Sequence, residues 1–354
     1  MTDPVNTQAA PTLTNTDITF SGGLQAFLHA SQCSLAFTSY QTGFLYLIGP
    51  GTDGKLAMHQ AQYPHAMGVV GDQQRIYLGA QTQLIRLENG LVSGQVANNK
   101  HDKVFVPRNQ QTIGAIDIHE LGIRTDGRVV FVNTKYSCLC ELSLIHSFKP
   151  IWKPSFISKI APEDRCHLNG LAMVEGEPRF VSAVCKSDVV DGWRDRRHDG
   201  GIIIDVQTDE IIAEGLSMPH SPRFHHGRIW VANSGTGEIG TINTDTKQFE
   251  PFAFCPGFIR GMAFLGDHVV VTLSKPRYQR FDGLTLADRM EEKDADPWCG
   301  VQIISLADGS VSQWIRFDGA IQELFDVTIL PGVQDAITIG LGSLEIQSFV
   351  TFET

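Results

Sequence analysis

The sequence has no apolar run near the roughly 18 residues needed to span a bilayer, and it shows almost no helical periodicity. Neither a membrane span nor a helical bundle is expected from it. Positive charge is also scarce, with 28 basic residues against 39 acidic ones and a net charge of −11. Nucleic acid and anionic membrane surfaces both call for a basic footprint, so neither is an expected partner. The N-terminal MTDPVNTQAAPTLTNTD has no basic segment and no apolar core, which argues against a secretory signal. The seven cysteines (33, 138, 140, 166, 185, 255 and 299) are an odd set without framework spacing. Reduced thiols in a cytoplasmic protein are the simplest expectation. Cys138 and Cys140 fall two apart in CLCEL and read as packed thiols, because no second pair lies near them.

What the chain does hold is glycine, 34 residues of it, and many short branched and aromatic runs. Residues 1–16 read as an irregular tail and 17–354 as one all-β domain. A β-rich run, a turn and a second such run recur seven times. The first members are SLAFTSY, RIYLGA, VVFVNT, RFVSAV, RIWVANS, VVVTLS and AITIGL. Their partners are FLYLIG, QLIRLE, CLCELSL, GIIIDV, EIGTIN, VQIISL and IQSFVTF. Outer strands such as KLAMHQ, EIIAEG, KQFEPF and SVSQWI follow. Ahead of these pairs lie HAMGVV, HELGIR, HLNGLA, HSPRFH, RGMAFL and ELFDVT, spaced 54, 48, 53, 40 and 63 residues apart. Repeats of about 40–50 residues with four strands apiece mark a β-propeller. The count of pairs predicts seven four-stranded blades, with six as the alternative. DITFS near the N-terminus is expected to close the last blade, and GLQAFLHAS to hold a poorly marked inner strand of the first.

The inner strands open with His65, His119, His167, His220, Arg260 and Glu323. In a propeller, equivalent inner positions crowd around the axis at one mouth. Four imidazoles there suit a divalent transition metal, with iron or copper favoured and zinc possible. The bland alternative is a hydrated, unmetallated polar ring. Glu323 is the candidate general base and Arg260 the substrate anchor, while Asp117, Glu120 and Asp326 are candidates to hold the outer imidazole N–H groups. The long segments 97–117, 186–201 and 274–300 are expected at the same mouth. They carry Trp193, Arg194, Arg196, Arg197, Arg277 and Arg280, and Arg223 follows His220 by three residues. These form the candidate substrate-binding set for a carboxylate or phosphate. The alternative is solvated loop charge, with arginines paired to Asp191, Asp195 and Asp199.

The stretches SLAFTSYQTGFLYLIG, PHAMGVV and HLNGLAMV…PRFVSAV resemble a bacterial family of predicted β-propeller proteins, a domain of unknown function. The resemblance covers the whole chain, implies fold and bacterial origin, and carries over no catalytic residue. Four axial histidines are also similar in architecture to the iron site of carotenoid-cleaving oxygenases, without a shared motif. Sugar-lactonase-like propellers use Glu, Asn and Asp ligands that this ring does not supply. Quinone-cofactor and WD-type propellers are unlike it too, since no repeated Trp-Asp ending occurs. Two functions follow as expectations. One is a mononuclear metalloenzyme acting on a small anionic or peptidic substrate by oxygenase chemistry, or by hydrolase or lyase chemistry with zinc. The other is a non-catalytic propeller that binds a peptide or protein.

Overall fold

The computed structural model describes residues 16–276 and 283–352. Six sheets stand around one axis, so the six-blade alternative is the one adopted. Blade II runs outward through Val69–Gly71, Arg75–Gly79, Gln83–Asn89 and Lys103–Thr112. Blade III is Ile118–Ile123, Val129–Asn133, Cys138–Glu141 and Lys149–Trp152. Blade IV is Leu168–Val174, Glu177–Ala183, Gly201–Asp205 and Ile211–Leu216. Blade V is Pro219–His225, Arg228–Asn233, Glu238–Asn243 and Gln248–Phe254. Blade VI is Phe258–Leu265, His268–Ser274, Cys299–Ser305 and Val311–Asp318.

Blade I joins the two ends of the chain. Its outer three strands are Cys33–Ser39, Phe44–Gly49 and Ala57–Gln62, and its inner strand is Val327–Pro331. That strand pairs from Cys33↔Pro331 to Phe37↔Val327, which leaves no open edge at the join. ELFDVT therefore serves the first blade rather than a seventh. The reason lies in GLQAFLHAS, which forms the helix Leu24–Ala30 instead of an inner strand. Leu24 and Leu28, four apart, share one helical face and are both fully buried between blades I and VI. AITIGL, expected as the second strand of a seventh blade, supplies Ala336–Thr338, a parallel fifth strand on the edge of blade II. DITFS does join the last blade, as a fifth, outermost strand Asp17–Phe20 beside Val311–Asp318. Within 97–117, Lys103–Thr112 is the outer strand of blade II rather than a loop at the mouth.

The middle strands explain the sequence pattern. Cys33–Ser39, Val129–Asn133, Cys138–Glu141 and Gly201–Asp205 are buried at every residue, because a neighbouring blade covers each face. Their near-continuous apolar runs follow, at about 1.5–3 kcal/mol for each large side chain buried. Hydroxyls then tie one blade to the next. Thr38 Oγ1 donates to Met67 O (2.5 Å), Thr134 Oγ1 to Leu168 O (2.6 Å), Ser234 Oγ to Ile259 O (2.5 Å) and Thr272 Oγ1 to Phe325 O (2.6 Å). All seven cysteines are free and buried, and Cys138 Sγ lies 3.5 Å from Cys140 Sγ. Among the described residues, no helix is long and apolar enough to cross a membrane.

Candidate functional site on the propeller axis

Strand pairing fixes the level of each axial side chain. In blades III to VI the pairs Ile118↔Asn133, Leu168↔Ala183, Pro219↔Asn233 and Ile259↔Leu273 are equivalent. The residues that follow, His119, Asn169, His220 and Arg260, form a lower tier. The residues that precede, Asp117, His167, Met218 and Phe258, form an upper tier. Each of these four inner strands has a β-bulge close to its lower-tier residue, a feature that re-aims side chains beside functional sites. His65 has the left-handed backbone (φ 49°) of Asp117 (55°), His167 (49°) and Met218 (48°), so it belongs with the upper tier. The four histidines expected at one level are thus split between two.

Three of them still converge. The ring centroids of His119 and His167 are 5.2 Å apart and those of His119 and His220 are 6.4 Å apart. His65 is exposed, and among the described residues it makes no ring contact with the other three. Each of the three imidazoles has its Nδ1 against an oxygen that can only accept. These are Asp117 O for His119 (3.2 Å), Asp164 Oδ2 for His167 (2.8 Å) and Met218 O for His220 (2.9 Å). All three Nδ1 atoms must therefore carry the proton, which leaves Nε2 as a lone pair when the rings are neutral. The left-handed backbone at Asp117 and Met218 turns those carbonyls toward the rings, and Thr134 Oγ1 (2.8 Å) and Ser234 Oγ (3.1 Å) add a second contact to His119 and His220. Burial, then the Arg260 cation, lowers the His220 pKa to about 3. Burial, then His167 and His220, holds His119 well below the usual imidazole range. Both are neutral at pH 7.

Beside the imidazoles stands a sheathed cation. The Arg260 guanidinium lies 4.8 Å from the Phe258 ring centroid, 5.5 Å from that of Tyr40 and 5.6 Å from that of Phe325. Its Nη2 reaches Glu323 Oε2 at 3.4 Å, and Tyr40 donates its hydroxyl to the same oxygen at 2.5 Å. Below this level the axis is plugged. Arg223 Nη2 donates to Glu120 Oε1 (2.6 Å) and lies 3.8 Å from Asp326 Oδ1, while Ser221 Oγ donates to Glu120 Oε2 (3.1 Å). Burial raises the pKa of both carboxyls, Asp326 well above its ordinary value with Glu120 beside it. Arg223 is thus a structural ion-pair partner and not part of the mouth. Glu120 and Asp326 hold Arg223 and backbone amides rather than imidazoles.

The loop around residues 186–200 covers one side of the mouth. Trp193 stacks on His167 at 4.1 Å and donates its Nε1–H to Asp164 Oδ2 at 2.8 Å. Arg194 pairs with Asp191 and lies 4.7 Å from the Trp193 ring centroid, Arg196 donates to Lys186 O, and Arg197 donates to Arg194 O. Arg277 and Arg280 lie outside the described residues. Tyr40, Asp164 and Asn169 were not among the expected site residues. Asn169 had a usable signal, because it follows His167 by two and strand alternation puts both on the axis. Among the described residues, no group of three or more His, Cys, Asp or Glu side chains is gathered closely enough to hold an ion as it stands.

The family described as "Domain of unknown function (DUF4915)" matches residues 22–339. No curated protein matches the chain. A chain in the crystal structure of a nidogen/laminin complex is similar over 85% of this chain and 99% of its own, with 10% identity and a TM-score of 0.54. A protein of unknown function from Bacteroides caccae is similar over 84% of this chain and 98% of its own, with 11% identity and a TM-score of 0.51. At such identities these likenesses concern the fold alone.

Proposed function

The chain belongs to the DUF4915 family, and on that footing we propose that it is a metal-dependent enzyme whose centre is His119, His167 and His220. One observation carries this reading: three imidazoles share a mouth, each with its Nδ1 set against a fixed oxygen acceptor. Metal-bound histidines are held in this way, by a carboxylate or carbonyl on the far ring nitrogen. Two imidazoles on one ion at about 2.1 Å have centroids on the order of 5–6 Å apart; the His119–His167 separation of 5.2 Å falls in that range, and the His119–His220 separation of 6.4 Å lies just beyond it. Three neutral ligands leave the ion its charge and open positions, and an ion held so would polarise a bound substrate or water. Arg260 would hold the substrate's anionic group, with Glu323 as the base beside it. Iron or copper would direct the site to oxidation, and zinc to hydrolysis or elimination. That no trio among the described residues is gathered at ligand spacing favours a second reading, a propeller that binds its ligand through the same imidazoles without an ion.

Elemental analysis of protein purified without a polyhistidine tag separates the two. We expect about one transition-metal ion per chain, and less than about a tenth of that in His119→Ala, His167→Ala and His220→Ala. His59→Ala, His146→Ala and His268→Ala should keep the ion, since none of them belongs to the axial tiers. A wild type that neither carries nor takes up metal would leave the second reading.

A further inference from the structure

We infer that the axial mouth takes a small monocarboxylate bearing a hydroxyl or amino group on the carbon next to the carboxylate. The inference rests on the mouth being the functional site, as proposed above, and not on the presence of an ion. Three polar atoms of the lower tier are buried without hydrogen-bond partners among the described residues: Arg260 Nε, a donor, and Asn169 Oδ1 and His220 Nε2, both acceptors. Buried polar atoms are rarely left so, and three from successive blades at one level point to a missing partner. A partner for this tier would accept from Arg260 and carry a donor for Asn169 Oδ1 or His220 Nε2.

Charge narrows the class further. Arg260 is the cation that bears on both His119 and His220. A single guanidinium, already shared with Glu323 at 3.4 Å, matches one carboxylate better than a phosphate dianion. Three aromatic rings surround the guanidinium carbon at 4.8–5.6 Å, and a guanidinium pairs best with a planar, two-oxygen group. Acetate would answer Arg260 but leave both acceptors unmatched. Lactate and alanine carry the donor that acetate lacks, and the same group can coordinate an ion if one is bound.

The test uses the full chain, dialysed against chelator and titrated with lactate, alanine, acetate and inorganic phosphate by calorimetry. Lactate or alanine should bind at least about tenfold more tightly than acetate or phosphate. Arg260→Met should weaken that binding at least about tenfold, and Asn169→Leu should erase most of the preference over acetate. If either variant fails to fold by circular dichroism, Arg260→Lys and Asn169→Ser serve the same comparison. Equal binding by wild type and the Arg260 variant, no binding of any probe to wild type, or no preference over acetate overturns the inference. Metal content, measured before dialysis, keeps the two proposals apart. A metal-free wild type with this selectivity removes the ion alone, whereas a metal-bearing wild type whose binding ignores Arg260 removes this inference alone.

Discussion

Acidifying the metal-free protein should destabilise it through His220, by an amount the structure sets. The side chain is 3% exposed and its pKa in the folded state is about 3, lowered first by burial and then by Arg260. In the unfolded chain the same imidazole titrates near about 6.5. A folded pKa below the unfolded one means that stability is fully present above about pH 6.5 and falls as the pH drops, because only the unfolded state takes up the proton. Each pH unit below that point costs about 1.4 kcal/mol, so the step from about pH 7.5 to about pH 5 removes about 2 kcal/mol. Other groups titrate over the same range, so the informative quantity is a difference. Urea unfolding of wild type and His220→Gln, followed by tryptophan fluorescence at both pH values, isolates it. The variant should lose about 2 kcal/mol less than wild type on acidification. Parallel losses, within about 0.5 kcal/mol, would show that His220 is not held neutral by burial and would refute the argument.

Two further outcomes probe the scaffold. Arg223→Met should cost about 3–5 kcal/mol in urea unfolding, because it leaves the buried Glu120 and Asp326 carboxyls without their cation; the loss should shrink as the pH is lowered and those carboxyls take up protons. Leu28→Ala should cost about 2–5 kcal/mol, since that side chain is fully buried between blades I and VI; a near-neutral result would mean that the helix Leu24–Ala30 does not seal that junction.

Much of the fold is legible in the residues. RIYLGA, VVFVNT, RFVSAV, RIWVANS and VVVTLS each fall on the second strand of a blade, because middle strands covered on both faces must be apolar throughout. The blade count is less legible, since it turns on GLQAFLHAS and AITIGL. Both are short apolar runs, and periodicity alone does not separate a buried strand from a short helix or an added edge strand. Leu24 and Leu28 find their partners on blades I and VI only once the ring has closed.

The axial site divides along the same line. The sequence alone determined which residues face the axis, because alternation along a strand assigns faces by parity. Asp117 and His119, His167 and Asn169, Met218 and His220, and Phe258 and Arg260 are each two apart and share a face. What alternation cannot determine is height. A slip of one residue would turn every side chain to the other face, whereas a slip of two preserves every face and leaves no trace in the pattern. Only the bulged pairings of the inner strands decided that His167 stands one tier above His119 and His220, and only the left-handed backbone at His65 put it in the upper tier with His167. They also brought in Asp164 and Trp193, whose contacts with His167 cross from a strand start to a loop and depend on how the chain packs around the axis.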